Sequence, residues 1–571
     1  MLSRKNFSSI DYSRRSVLLL CGLLFFWSLK QLREEGPEGY RHTDWDALGY
    51  YLYAPAITIH HDLKKLDWYE REEQRYHLQG SGGFYQFSAL PGGNRVGKYF
   101  VGVSVMQYPF FLLAHASAGA LGYARDGFSF PYQLAVLLAS LTYAIMAIGL
   151  MRKVLLRYFD QGTSAWVLLL VFAASNFLQY AAVDCGQVHI YGLFWYALML
   201  YVTPHFFARP CAKTALAIGF IAGMATLCRP TEAIIIFIPL LWGAGRHSFG
   251  WQRRKVLIHR WHWLLFAFIG GLIGIAPQLL YWHHVSGSWV YDVGSKWDFL
   301  KPHLKVLWGW EKDWFIYTPV TVLFVLGLFC MRRYPFRRSV LVFMILNIWI
   351  VTAWSDWLYG GSYAARALVQ CLPVCCLSLG ALWYRFGQNS LVLRVSGIYL
   401  ICINMLQLAQ YNTNVIDYRA NNRNYYSAVY GSIHPDPLAY SLLEDNEPFP
   451  AAARIVLWMA DTTRRTVNGD QQIKLWKGKP VLAYVRGYRV CFRIRSESET
   501  GGQHILIQPQ FAGVSFPVRK LRLKQPLHSS GDWIDYAVFI PAASAFDELL
   551  LQTDDAQYHG VLDSLHIDLV R

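Results

Sequence analysis

The sequence predicts a polytopic α-helical membrane protein that ends in an all-β sandwich, and three observations carry that prediction. Of 571 residues, 54% are hydrophobic and only 16% are charged, where a water-soluble chain carries about a quarter charged residues. Apolar stretches long enough to cross a bilayer recur through the first 410 residues or so. From about residue 411 they stop, and short apolar runs between Gly, Asn and Asp turns replace them. The net charge of +16 does not indicate a nucleic-acid partner, because the cations sit beside the apolar spans, as in membrane proteins.

Taken in order, Arg4, Lys5, Arg14 and Arg15 precede the apolar run Ser16 to Leu29, and no small-residue cleavage site follows. That pattern predicts an uncleaved first span, although it could pass for a signal peptide. Twelve candidate spans lie near 16–31, 101–121, 131–151, 164–182, 188–207, 214–230, 232–245, 263–283, 315–331, 339–354, 367–384 and 391–410. Cations gather in alternate connections: Arg152, Lys153 and Arg157; Arg209 and Lys213; Arg246 with Arg253, Arg254, Lys255 and Arg260; Arg332, Arg333, Arg337 and Arg338; Arg385 and Arg394. Short cytoplasmic loops hold such cations, so a cytoplasmic N-terminus fits eleven crossings if 101–121, with Gln107, Pro109 and His115, lies in the interface or re-enters. The alternative is that 101–121 crosses and 232–245 does not. The eleven-span reading gives a transmembrane domain over 1–410, a first outer loop of about 32–130 with interfacial helices, and an outer C-terminus.

Asn412, Asn414, Asn421, Asn422 and Asn424, followed by Pro435, Pro437, Pro448 and Pro450, mark 411–450 as a linker. Strands are predicted within 451–571 at Pro480 to Val485, Arg489 to Ile494, His504 to Ile507, Arg519 to Leu523, Trp533 to Ile540, Glu548 to Leu551 and Leu562 to Val570. Their spacing is that of an antiparallel sandwich or jelly roll. Eight cysteines, Cys21, Cys211, Cys228, Cys330, Cys371, Cys375, Cys376 and Cys402, lie in or beside apolar stretches without metal-type spacing, and the last 130 residues hold only Cys491. No disulfide framework is expected.

With this topology the unusual polar residues fall on the outer face. Asp44 and Asp46 open the first loop, Asp184 ends the third span ahead of His189, Arg229 and Glu232 join the fifth and sixth, Lys98 precedes 101–121, and Asp356 to Arg366 joins the ninth and tenth. Ionisable groups at membrane depth are costly unless paired or wet, so each is a functional candidate. Mixed charge suits an acid–base residue beside an anionic group, and Lys and Arg are the clamps for phosphate. Plain structural alternatives stand beside each: Asp44 as a helix cap, Asp184 and His189 closing helix ends, Arg229 and Arg366 snorkelling to headgroups, and His60, His61 and Asp62 as a solvated face. No Gly-rich nucleotide-binding fingerprint is present.

The motif Asp44-Trp45-Asp46, the Val183-Asp184 step before His189, the Arg229-Pro230-Thr231 turn, and the segments Asp46 to Tyr51 and Trp357 to Arg366 resemble the GT-C superfamily of membrane glycosyltransferases. That superfamily includes protein O-mannosyltransferases and lipid A aminoarabinose transferases, and the resemblance is nearest to uncharacterised bacterial members. It covers about the first 410 residues. It implies an inverting transfer of a sugar from a polyprenyl-phosphate donor to an acceptor hydroxyl on a glycan, glycolipid or protein, at the periplasmic face of a bacterial inner membrane. Asp46 would be the general base, with Asp44 and Asp184 orienting it or the acceptor, or holding a divalent cation if one is used. Lys98, Arg229 and Arg366 would neutralise the donor phosphate, with His189, Tyr50, Glu232 and Tyr363 contacting the acceptor or supporting the site. No other cofactor is implied. Ser355-Asp356 and Cys185-Gly186 depart from the family pattern. The C-terminal sandwich, with Trp533, Tyr536 and Phe539, would engage carbohydrate over the cleft or keep these aromatics as core. A transporter or flippase of a lipid-linked glycan is the alternative from another class, and a glycan-binding membrane protein is a third.

Overall fold

The computed structural model describes residues 11–78, 84–244, 261–294, 297–450, 453–469, 471–480, 484–497, 504–523 and 526–571. The cations Arg4, Lys5 and Arg246 to Arg260 lie outside these. Two compact units divide the chain, 1–408 and 409–571.

In the first unit every candidate span is helical, and five helices are long and apolar enough to cross a membrane: Tyr12–Pro37, Phe130–Leu155, His262–Ser286, Arg366–Gly387 and Leu391–Asn412. The chain is a multi-pass membrane protein. Its first helix, α1 (Tyr12–Gly39), opens on Asp11, whose carboxylate accepts the Arg14 amide, and kinks where Gly36 adopts φ 67° ahead of Pro37. Such a φ favours glycine.

Several spans that read as continuous are broken. The stretch 164–182 is two helices, Gln161–Ala173 and Phe177–Ala182, and at the break the Asn404 side-chain amide donates to the Ala173 and Ser175 carbonyls. At 232–245, Pro230 starts a tight 3₁₀ turn, Pro230–Ile236, before the short helix Phe237–Leu241. The segment 101–121 is one helix, α2 (Gly102–Ala118), with Pro109 inside it.

The tightest contact joins α3 (Ala212–Cys228) to α4 (His262–Ser286). A Cβ on Gly219 would stand 1.7 Å from the Ala267 carbonyl oxygen, one on Gly223 2.4 Å from that of Gly271, and one on Gly270 2.1 Å from that of Leu216. Each helix carries two glycines four apart, and the backbones touch. Lipid supplies no hydrophobic drive for helix association, so such close van der Waals packing takes its place.

In the first unit β1 (Phe87–Ala89) pairs antiparallel with β2 (Arg95–Gly97). The second unit is all-antiparallel β. One sheet runs β10 (His528–Ser530), β11 (Trp533–Pro541), β6 (Gly487–Ser496), β13 (His559–Val570), β3 (Ile455–Asp461), with β4 (Arg465–Asn468) also on β13. The other runs β5 (Ile473–Lys477), β12 (Glu548–Thr553), β7 (His504–Phe511), β8 (Val514–Ser515), with β9 (Arg519–Arg522) also on β7. Alternate residues of both, among them Val490, Phe492, Ile507, Leu549 and Ile567, form one buried core, so the sheets pack face to face. β3, β4, β5, β8 and β10 were not among the expected strands. The alternation of β3, β4 and β5 is blurred by polar and charged residues at the edge. The expected strand at 480–485 falls largely on 481–483, outside the described residues, and Pro480, Tyr484 and Val485 are not in a strand.

The stretch 411–450 is folded, not an open linker. The helix Arg423–Val429 and the turn Pro437–Glu444 bury Val415, Tyr425, Val429, Leu442 and Leu443 together. Arg522 on β9 pins this segment through Asp417, at 2.6 Å, and Glu444.

Gly223→Leu should lower the thermal midpoint in detergent by the equivalent of about 1–3 kcal/mol or more. Gly22→Leu, where the added side chain meets open space, should change it by no more than about 0.5 kcal/mol.

Candidate active site

The first-loop motif is held by buried amide chemistry. Gln133 accepts the His42 amide at 2.8 Å and donates to the Thr43 hydroxyl at 2.9 Å. The 184–187 turn packs onto this segment through Gly186, where a Cβ would lie 2.1 Å from the His42 carbonyl oxygen. Asp44 then occupies the cap position of the helix α5 (Trp45–Tyr51), but its side chain makes no cap hydrogen bond, so capping does not account for it.

Asp46, in the first turn of α5, is the hub of the site. Its Oδ2 accepts from Arg366 at 2.6 Å, and its Oδ1 accepts from the Tyr99 hydroxyl at 2.5 Å and the Tyr85 hydroxyl at 2.9 Å. Gln187 takes the other arm of Arg366 at 2.9 Å. The Arg366 side chain is only 10% exposed, so it does not snorkel to a headgroup. Burial pushes the Asp46 carboxyl up, but the Arg366 guanidinium and the two tyrosine hydroxyls outweigh it and hold the group below the usual carboxylate value.

Local backbone explains how these side chains meet. Gly49 sits under the Tyr99 ring, and a Cβ there would stand 2.2 Å from a ring carbon, so the Asp-x-x-Gly spacing is what lets Tyr99 reach Asp46. Trp45, between the two aspartates, has φ 45°, and Tyr359 and Ala364, ahead of Arg366, both have φ 53°. Left-handed conformations cost non-glycine residues about 1–3 kcal/mol each and persist where surrounding structure enforces them.

Asp46 and Arg366 open onto a cavity of about 430 Å³ whose wall also includes Tyr50, Lys98, Arg229 and His189. Six of the ten residues singled out from the sequence therefore share one cavity. Among the described residues neither Lys98 nor Arg229 is ion-paired, and Arg229 lies 5.8 Å over the Tyr359 ring. Tyr50 rests edge-on against Tyr99 at 4.7 Å.

The other four lie off that wall. Glu232 is buried and accepts from Tyr196 at 2.7 Å and from Gln370 at 3.0 Å, while Gln370 accepts from His189 Nδ1 at 3.4 Å. It orients His189 from behind. Tyr363 is buried, with its hydroxyl near the Tyr317 carbonyl oxygen and the Asn404 side chain at 3.4 and 3.3 Å; it braces the helices. Asp184 accepts from Gln179 at 3.1 Å and faces Asp44. Burial first, and the Asp184 charge second, push the Asp44 carboxyl up to about 6; burial also raises Asp184. His60 stacks on Trp68 at 4.0 Å, and Asp62 accepts the Lys64, Lys65 and Asp67 amides, which makes that cluster structural. Sequence reasoning missed Tyr85, Tyr99, Gln187 and Trp282. The adjacency of Tyr99 to Lys98 was a signal, but Tyr85 offered none.

The Asp44 carboxyl ionises in the folded chain at about 6 against about 3.9 unfolded. It therefore favours the folded state while protonated, and this contribution is lost as pH rises through about 6. Asp44→Asn should match the wild-type thermal midpoint near pH 4 and exceed it near pH 7. A pH-independent difference between the two would mean that the carboxylates are not opposed.

No family model matches the chain, and no curated protein matches it. Among solved structures it is similar to ArnT from Cupriavidus metallidurans bound to undecaprenyl phosphate, at 14% identity over 72% of this chain and 68% of that one, with a TM-score of 0.41. It is similar to the archaeal oligosaccharyltransferase AglB from Archaeoglobus fulgidus, in complex with an inhibitory peptide and a dolichol-phosphate, at 13% identity over 78% and 59%, with a TM-score of 0.42. The arabinosyltransferase EmbB from Mycobacterium smegmatis matches at 11% identity over 100% and 66%, with a TM-score of 0.38. The chain thus spans about three fifths to two thirds of the length of these proteins. Values this low carry no activity from them to this chain.

Proposed function

We propose that the chain is an inverting glycosyltransferase that moves a sugar from a polyprenyl-phosphate donor to an acceptor hydroxyl, working at the outer face of the membrane with eleven crossings and an outer C-terminus. The observation that carries this reading is the Asp46–Arg366 pair, at 2.6 Å, opening onto a cavity whose wall adds the cations Lys98 and Arg229, neither of them ion-paired among the described residues. A carboxylate for the acceptor proton and a three-cation cradle for a departing phosphate are what such a transfer needs. About 430 Å³ is at the small end of ligand sites, which run from about 300 to 1,000 Å³. It suits one glycosyl phosphate.

In the resting arrangement three donors occupy the Asp46 carboxylate, and a carboxylate so stabilised is a weak base. A donor phosphate competes for Arg366. As the guanidinium turns toward it, Asp46 loses its main counter-charge and becomes more basic while the acceptor hydroxyl arrives. Tyr99 and Tyr85 hold the carboxylate oriented throughout, and His189, set by Gln370 and Glu232, lines the wall where acceptor contacts form. Asp44 and Asp184 support the motif from behind. Among the described residues they have no third His, Cys, Asp or Glu ligand atom within 4.8 Å, so a divalent cation between them would rely on water or substrate for the rest of its shell.

The transporter reading calls for ionisable groups strung along a path through the bundle. The assembled residues instead meet at one cavity.

The purified protein should transfer labelled sugar from a member of a panel of polyprenyl-phosphate sugars, with inversion read by the anomeric signal of the product. Asp46→Asn should cut turnover about 10²–10⁴-fold. Arg366→Lys, which keeps the charge but loses the fork, should cost about 10²-fold or more. Lipid-linked glycan crossing vesicle membranes without any donor turnover would establish the transporter instead.

A further inference from the structure

The C-terminal unit contains a cluster that plays no part in the proposed transfer. On β6 and β13, the central strands of the larger sheet, Cys491 stands directly opposite His566, and Asp568 follows two residues on. Residues alternate across a strand. Because Tyr488, Val490, Phe492, Leu565, Ile567 and Leu569 fill the core, Cys491, His566 and Asp568 share the sheet's other face.

Their ligand atoms, the Cys491 Sγ, an imidazole nitrogen of His566 and a carboxylate oxygen of Asp568, all lie within 4.8 Å of one another. His566 Nε2 and Asp568 Oδ2 are 3.9 Å apart. Zinc bonds of about 2.0–2.3 Å in a tetrahedron set ligand atoms roughly 3.3–3.8 Å from each other, so small side-chain adjustments close the set. Cys491 and Asp568 are 4% and 7% exposed, while His566 faces solvent. Two ligands are thus fixed by the sheet, and the third lies at an open mouth.

The carboxylates around the cluster differ in their partners. Asp535, the neighbouring carboxylate on β11, is taken by Arg493 in a two-armed pair at 2.7 and 3.0 Å. Arg489, opposite Asp568 in the register, places its guanidinium 5.7 Å over the Phe449 ring and leaves its own Nε without a partner. Among the described residues the ion-pair neighbour of Asp568 is His566 alone, and a buried carboxylate without a cation is costly. Burial pushes the Cys491 thiol up, and Arg489 beside it only partly offsets this, so the thiolate forms on metal binding.

We infer that Cys491, His566 and Asp568 form a Zn²⁺ site with water in the fourth position. The mixed sulfur, nitrogen and oxygen set on a four-coordinate frame suits zinc over the hard cations. Binding releases the Cys491 proton to solvent, and the thiolate and carboxylate together neutralise the ion. The site cross-links β6 to β13 and is separate from the Asp46 cavity.

The test uses the full-length protein, stripped of metal in detergent and titrated with Co²⁺ as a spectroscopic probe. One equivalent should give a thiolate-to-cobalt charge-transfer band that Zn²⁺ removes, and Zn²⁺ should raise the thermal midpoint. Cys491→Ser should abolish the band, and His566→Ala, at an exposed position that does not threaten folding, should weaken cobalt binding at least about tenfold. The exposed Cys211 and Cys402 are other sources of a thiolate band. Absence of the band from the wild type, or its survival in Cys491→Ser, would overturn the assignment.

Discussion

One ion pair joins residues 320 positions apart, and the architecture of the membrane unit is arranged around it. Neither half is tolerable alone: a buried Arg366 or Asp46 left without its partner costs several kcal/mol. Each partner arrives on backbone that is locally unfavourable, through Trp45 on one side and Tyr359 and Ala364 on the other. Tyr85, Tyr99 and Gln187 add further hydrogen bonds to the pair. The contacts that stabilise the pair also hold the Asp46 carboxyl below the usual carboxylate value.

Much of this was legible in the residues. Charge in an apolar chain is rare enough to be noticed, so Asp46, Lys98, Arg229, Arg366 and His189 stood out, and the fold places them on one wall. Aromatic residues gave no such contrast. Tyr99 and Tyr85 were indistinguishable from an interfacial belt, although they hold the key carboxylate. Depth was equally illegible: Glu232 and Tyr363 sit near cavity residues in sequence but point into the helix packing. Helix breaks at Ser175 and Pro230 were hidden because hydropathy averages over a window and does not register a local turn.

The β unit shows the complementary limit. Strands buried on one face announced themselves by alternation, whereas the edge strand Ile455–Asp461, exposed or half-exposed along its length, did not. Cys491, His566 and Asp568 are brought together only by strand register, and no ligand spacing along the chain marks them.

The glycine contact between Ala212–Cys228 and His262–Ser286 bears on how the cavity moves. Where backbone meets backbone there are no rotamers to exchange, so this seam cannot yield by side-chain rearrangement, the usual way packed helices slide past one another. Arg229 immediately follows one of these helices and Trp282 belongs to the other, and both line the cavity. They form a fixed jaw. The facing segments, 84–100 and 354–366, are held instead by side-chain hydrogen bonds, those of Tyr85, Tyr99 and Arg366 to Asp46 among them.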